Sequence, residues 1–371
     1  MFSTLRAVRP SGGPTVRDSF TNPIGPGADP WVTRHGGFYY WCATDRDVGV
    51  VVYRSCSLTS LGERFVVWRA PDRGPYSAQV WAPELHYIEG RWYIYVSVSN
   101  GENATHRMIV LESRGDDPTG RYDFRSELYT GDDFANRGCS RWAIDGTVFT
   151  HRGQRYFLWS GWRDETDEQW LYIAPMSTPW TVSGARVRLC GNNDYIWERV
   201  GESRRGRGLN EAPQILQRDG RVFLVYSCSG SWEPSYKLGM LELSRDGDPL
   251  DPGAWRKRPT PVFEAAVETF GVGHCSFTTS PDGTEDWLVY HAKVSRRHGW
   301  ERVIHAQPFT WDANGRPDFG IPVGSDAAQP RPSGEVELES RDALLAARPL
   351  IERVEVFDVA GESSGERLAA N

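Results

Sequence analysis

The stretch D-G-T-V-F-T-H-R-G-Q-R-Y-F-L-W-S-G, Asp145 to Gly161, reads as a single β-hairpin. A β-branched run leads to a glycine-bearing turn at Gly153, and an aromatic run leads away from it. Such a pattern suits a pleated, half-buried surface on both arms. Four further stretches share it: D-P-W-V-T-R-H-G-G-F-Y-Y-W-C-A-T from Asp29, E-L-H-Y-I-E-G-R-W-Y-I-Y-V-S-V-S from Glu84, E-A-P-Q-I-L-Q-R-D-G-R-V-F-L-V-Y-S from Glu211, and H-C-S-F-T-T-S-P-D-G-T-E-D-W-L-V-Y-H from His274. Their turn glycines are Gly37, Gly90, Gly220 and Gly283. All-β units recurring every 55 to 65 residues or so are the period of a propeller with about four strands per blade. The fold expected is therefore all-β, a five-bladed β-propeller spanning residues 1–330. A β-sandwich is the alternative, but it does not call for near-equivalent hairpins at regular spacing.

Composition narrows the partners. The 371-residue chain carries a net charge of -7, which disfavours nucleic acid and anionic membrane surfaces. Sixteen Trp offer flat apolar faces of the kind on which sugar rings stack. All cations but Lys237, Lys257 and Lys293 are arginines, a coding bias from which no function follows. The six cysteines show no C-x-x-C pair and are expected to be free thiols. No H-E-x-x-H motif and no phosphate-cradling glycine loop occurs. The opening M-F-S-T-L-R-A-V-R-P lacks the apolar core of a secretory leader, so the expected location is cytoplasmic, or secreted if a leader has been removed. Residues 331–371 lose the repeat and are expected to form an extension, part short helix and part disordered, too short for a second binding domain.

Each repeat opens on an ionisable residue: Asp29, Glu84, Asp145, Glu211 and His274. Any one of them alone has an ordinary reading as a turn residue. Their common phase is what points to chemistry, because equivalent ends of a propeller's inner strands converge on one axis. Clustered carboxylates repel one another and raise each other's pKa, an arrangement suited to glycoside hydrolysis. There, one carboxylic acid protonates the leaving oxygen while a carboxylate activates water or attacks the anomeric carbon. Trp31 and Trp81, beside Asp29 and Glu84, are the candidates to wall a sugar pocket.

The motifs D-P-W-V, W-A-P-E-L-H, I-D-G-T-V-F, N-E-A-P-Q-I-L and G-V-G-H-C-S-F, in that order over roughly residues 20 to 325, resemble glycoside hydrolase family 43. Its members are five-bladed propellers that invert the anomeric centre. The resemblance implies that Asp29 is the general base, Glu211 the general acid and Asp145 the residue that tunes and orients the acid. It implies further that His274 helps hold a calcium ion through its water shell in the central channel, and that Arg302, in W-E-R-V-I-H, lies near acid and sugar. Val272 and Cys275 stand where the family more often has Pro and Asn.

Three shorter stretches, T-P-W-T-V-S-G from Thr178, Y-I-W-E-R-V-G from Tyr195 and D-P-L-D-P-G-A-W from Asp248, resemble the α-L-arabinofuranosidases of that family, notably those acting on 1,5-linked chains. The function expected is exo-acting release of L-arabinofuranose from arabinan or arabino-oligosaccharides. A β-D-xylosidase with the same acids, and a sugar-binding propeller without catalysis, are the alternatives; the second would predict loss of one of the three acids, and all three are present.

Overall fold

The computed structural model describes residues 19–335 apart from 137, 165–166, 200–207, 267 and 298. Five antiparallel sheets follow one another along the chain. Blade I holds Trp31–His35, Phe38–Thr44, Gly49–Ser55 and Glu63–Arg69. Blade II holds Ala78–Ile88, Arg91–Ser99, Arg107–Ser113 and Tyr122–Glu127. Blade III is built on Ala143–His151, Gln154–Trp162 and Gln169–Thr178, the last pairing with both Thr181–Val182 and Val187–Cys190. Blade IV holds Asn210–Arg218, Arg221–Cys228, Lys237–Leu243 and Trp255–Lys257. In blade V, Gly273–Thr279, Asp286–Lys293 and Arg302–Trp311 are completed by Gly25–Pro26 from the start of the chain. The ring is thus closed by a strand that precedes blade I.

The first strand of every blade touches the first strand of both neighbours, blade V meeting blade I, so these five strands form the inner wall. The apolar residues sort into five clusters, one between each pair of adjacent blades. Trp41, Trp92, Trp159 and Trp287 are almost fully buried in them. Burying a side chain of this size stabilises by roughly 2–3 kcal/mol, and large rings fill the gap between twisted sheets that diverge outward. Part of the tryptophan content is therefore core.

The hairpins between the first and second strands follow the sequence reading. Gly37, Gly90, Gly153 and Gly220 have positive φ, and so do the residues before them, Gly36, Glu89, Arg152 and Asp219. Two consecutive left-handed residues make the two-residue turn whose twist matches the strands it joins. Blade V departs from this, with the longer loop Ser280–Glu285 carrying Gly283.

Packing continues past residue 330. Ser19–Phe20 pairs with Gln329–Pro330, and the fully buried Glu335 carboxylate accepts from Ser57 Oγ at 2.7 Å, from Leu58 N at 2.9 Å and from Arg331 Nη1 at 3.1 Å. Residues 331–335 are thus fastened to blade I, five residues beyond the boundary expected from the repeat, because Glu335 satisfies donors of the loop at 57–59. The rest of the expected extension, 336–371 with its short helix, lies outside the described residues. All six cysteines are free. No helix among the described residues is long and apolar enough to cross a membrane.

Candidate active site

Each inner strand of blades II to V is interrupted by a β-bulge near its start, at Ala82-Pro83, Asp145-Gly146, Ala212-Pro213 and His274-Cys275. The first residue of each bulge is left-handed, with φ of 43°, 55°, 51° and 45°, and Asp29, ahead of Pro30, matches them at 51°. A bulge re-aims the side chain it carries, and a non-glycine residue held at positive φ stores local strain of about 1–3 kcal/mol. Three of the five left-handed places bear functional groups, Asp29, Asp145 and His274. The other two bear alanine, and there the pit-lining residue is the preceding one, Trp81 or Glu211.

The five opening residues of the repeats are consequently not all equivalent. Asp29, Asp145 and His274 share one place, Glu211 stands one residue before it, and Glu84 stands two residues after it. The signal was present in the spacing to the turn glycine: Asp29 to Gly37, Ala82 to Gly90, Asp145 to Gly153 and Ala212 to Gly220 are all eight residues, whereas Glu84 to Gly90 is six.

That offset decides where Glu84 and Trp31 go. Both belong to a second ring below the pit, at the level of Gln214 and Ser276. Glu84 is 3% exposed; its carboxylate accepts from Gln214 Nε2, across the axis on blade IV, and lies 2.9 Å from His86 Nε2. Trp31 donates its indole N–H to Leu85 O at 2.8 Å and lies over His86 at 4.6 Å between ring centroids. Neither lines the pit. The expected substrate-binding roles of Glu84 and Trp31 are corrected accordingly: these residues close the channel floor.

The pit itself encloses about 770 Å³ and opens on the side of the bulges. Trp81 lines it as expected, together with Trp142, Trp162, Trp232 and Trp300, which the hairpin repeat did not single out because they lie outside it. Trp142 and Trp162 stack at 4.8 Å with 13° between their planes, and Trp81 stacks on His106 at 3.9 Å. Trp300 is 61% exposed and meets Trp232 at 5.3 Å.

At the bottom, Asp29 Oδ1 accepts from Arg302 Nη1 at 3.0 Å and from His274 Nδ1 at 3.1 Å. Burial raises the Asp29 pKa, but the charges of Arg302 and His274 outweigh it and hold the carboxyl well below its usual range. Asp29 is an ionised carboxylate, its side chain 25% exposed to the pit. Asp145 accepts from Ala212 N at 3.1 Å, the amide next to Glu211. Burial pushes Asp145 up to about 6, against the opposing charge of His274. Glu211 is pushed up to about 8, by burial first and by the charge of Asp145 second. It is the protonated carboxyl of the set at neutral pH.

Two residues missed in the sequence complete the arrangement. Tyr236 donates to Glu211 Oε1 at 2.7 Å, and its ring stacks on His291 at 5.3 Å. His291 Nδ1 accepts from Asp29 N at 3.2 Å, and burial pushes this imidazole down to about 3. It is neutral, so its 3.3 Å approach to Asp29 Oδ1 is no ion pair. His291 was findable, since it is the cross-strand partner of Gly273 beside His274; Tyr236, in S-W-E-P-S-Y, carries no pattern. Burial lowers the pKa of His274, but Asp29, Asp145 and Glu211 together raise it to about 9, making it a cation among the carboxylates.

A calcium ion can be tested against these donors. Asp29, His274 and His291 bring ligand atoms within 4.8 Å of one another, but they offer one oxygen and two nitrogens, and Arg302 already occupies that oxygen. Calcium takes six to eight oxygens, so this set does not suit direct ligation. Ser276 Oγ, two residues beyond His274, is buried without a hydrogen-bond partner, which fits a water shell instead.

A five-bladed propeller whose aromatic-walled axial pit gathers Asp29, Asp145, Glu211 and His274 from the starts of its inner strands defines the class. The chain belongs to the glycosyl hydrolases family 43, whose family model matches residues 20–317. It is 36% identical over 312 residues to α-L-arabinofuranosidase 43 of Humicola insolens, covering 80% of this chain and 62% of that protein. It is 38% identical over 275 residues to the extracellular exo-α-(1→5)-L-arabinofuranosidase of Streptomyces chartreusis, covering 72% and 80%. The crystal structure of an α-L-arabinofuranosidase from Lactobacillus brevis superimposes with a TM-score of 0.75 at 33% identity, over 83% of this chain and 98% of that one. The chain thus spans about three fifths of the Humicola relative and nearly all of the Lactobacillus one.

Proposed function

We propose that the protein is an inverting exo-α-L-arabinofuranosidase, releasing L-arabinofuranose from the non-reducing ends of arabinan or arabino-oligosaccharides. The observation that carries the chemistry is the divergence of two carboxyls in one pit: Asp29 is kept ionised by Arg302 and His274, Glu211 is kept protonated by burial and Asp145. The sugar specificity rests on relatives that carry that name.

In this reading, Asp29 takes a proton from a water that attacks the anomeric carbon. Glu211 gives its proton to the departing glycosidic oxygen as the C–O bond breaks on the opposite face. Tyr236 occupies Oε1 of Glu211, leaving Oε2 to carry the proton toward the substrate. Asp145, tied to the amide next to Glu211, orients the acid and supplies the charge that keeps it protonated. Trp81, with Trp142 and Trp162, walls the sugar. A hydrated cation on the axis belongs to the same proposal and would offset the clustered carboxylates; for His274 to accept from the ion's water shell, the imidazole would first give up the proton it holds at neutral pH. No step depends on the cation.

The test is a side-by-side assay on nitrophenyl α-L-arabinofuranoside and β-D-xyloside, with debranched arabinan as polymer. The expected preference for the arabinoside exceeds roughly tenfold, because an unpaired buried hydroxyl partner costs about 1–3 kcal/mol. A higher specificity constant on the xyloside overturns the sugar assignment, and oligosaccharide products from arabinan overturn the exo assignment.

A further inference from the structure

The stretch Y-I-W-E, Tyr195 to Glu198, pointed only to a subgroup when read as sequence. In the fold, its last residue is a carboxylate with 0% exposure that takes no part in the chemistry above. Glu198 Oε1 receives Lys257 Nζ at 2.6 Å, the Tyr226 hydroxyl at 2.9 Å and Asn210 Nδ2 at 3.0 Å, and its Oε2 receives Tyr195 N at 3.1 Å. Lys257 donates again to Gly191 O at 2.8 Å, and Asn210 Nδ2 to the same carbonyl at 2.8 Å.

Asn210 is the residue before Glu211. Asn210 opens the strand and, with Glu211, pairs with Cys228 and Ser227, but the bulge at Ala212-Pro213 interrupts the ladder right after Glu211. Proline also has no N–H to donate. The backbone carrying the acid therefore loses regular pairing on its C-terminal side, where Asp145 takes the Ala212 amide, and on its N-terminal side Asn210 is held twice, its carbonyl by Ser160 Oγ at 2.8 Å and its side-chain amide by Glu198's network. A buried ion pair is a weak stabiliser compared with apolar packing of the same volume, whereas it fixes position well.

We propose that Glu198, paired with Lys257, is a positioning residue for the acid: through Asn210 it sets the place and angle at which Glu211 meets the departing oxygen. This rests on the reading of Glu211 as general acid.

The test uses Glu198→Gln in the full chain on two substrates, 1,5-linked arabinobiose, whose leaving group needs a proton, and 2,4-dinitrophenyl α-L-arabinofuranoside, whose leaving group hardly does. The expected result is a kcat loss on the disaccharide at least roughly tenfold greater than on the aryl substrate, with KM little changed. Equal fractional losses on both, or none on either, overturn the proposal and leave Glu198 a scaffold residue. Tyr226→Phe removes one hydrogen bond and keeps the ion pair; it should show the same selective loss, smaller, and serves where the first variant does not fold. A readout independent of turnover is the carboxyl-carbon NMR titration of Glu211: a midpoint displaced in the variant supports the proposal and an unchanged one contradicts it. If the wild type cleaves neither arabinoside, the functional reading fails, and this titration still decides the positional one.

Discussion

Tyr236 reaches Glu211 only because residue 273 is glycine. The Tyr236 hydroxyl donates to Glu211 Oε1 at 2.7 Å, and a Cβ on Gly273 would lie 2.3 Å from the Tyr236 ring. That bond favours the ionised acid and so tempers the upward push of burial and Asp145. Tyr236→Phe should therefore raise the pKa of Glu211 further, moving the basic limb of the pH–kcat/KM profile upward while the loosened acid loses roughly tenfold or less in kcat. A basic limb that stays in place or moves down would contradict the role of Tyr236.

Arg302 acts on the other limb. It holds Asp29 below its ordinary range, so Arg302→Met lets Asp29 take a proton at higher pH. The acidic limb of the profile should shift upward, toward the ordinary carboxylate range and beyond it as burial goes uncompensated. Profiles of kcat/KM for wild type and variant check this, and an unmoved acidic limb excludes Asp29 as the base.

Glu211 places function against stability. Its folded-state pKa of about 8 lies above that of an unfolded glutamate near 4.3, so the folded protein binds this proton more tightly. Stability from this group is fully present below about pH 4.3 and is lost as pH rises toward 8. Glu211→Gln does not titrate; relative to wild type it should gain stability across that window while losing roughly 10²- to 10⁴-fold in activity on natural linkages. Thermal melts at pH 5 and pH 9 test the sign, and a variant relatively less stable at pH 9 would contradict the burial argument.

Much of this was legible in the sequence, and the failures have physical causes. Five hairpins with their turn glycines are local chemistry, a left-handed residue in a tight turn, and they announced five blades. Asp29, Asp145 and His274 were found because they share one left-handed place at the start of the repeat. Glu84 was placed one ring too high because it lies two residues past the shared place, at the level of Trp31, an offset that the alignment of hairpins by their first ionisable residue hides. Tyr236, Trp142, Trp232 and Trp300 lie in connections between strands, Trp162 at the very end of one, and Glu198 in the short 3-10 helix Ile196–Arg199, where nothing periodic marks them. The strand Gly25–Pro26 that closes blade V is two residues long, too short for any pattern.

The axial cation is open to a direct trial. Chelation should lower the melting temperature and activity, and calcium should restore both, if a hydrated ion offsets the carboxylates near His274. No change in either on chelation leaves His274 as the counter-ion of Asp29 alone, its 3.1 Å contact being then its whole contribution.

The central claim, that Asp29 directs water while Glu211 protonates the leaving oxygen from the opposite face, is tested most directly by proton NMR of the first sugar released from nitrophenyl α-L-arabinofuranoside, recorded before mutarotation. Water activated by Asp29 attacks in a single displacement, so the first-formed arabinofuranose should be the β anomer. An α anomer formed first would show double displacement through a covalent intermediate and would contradict the assignment of Asp29 as base.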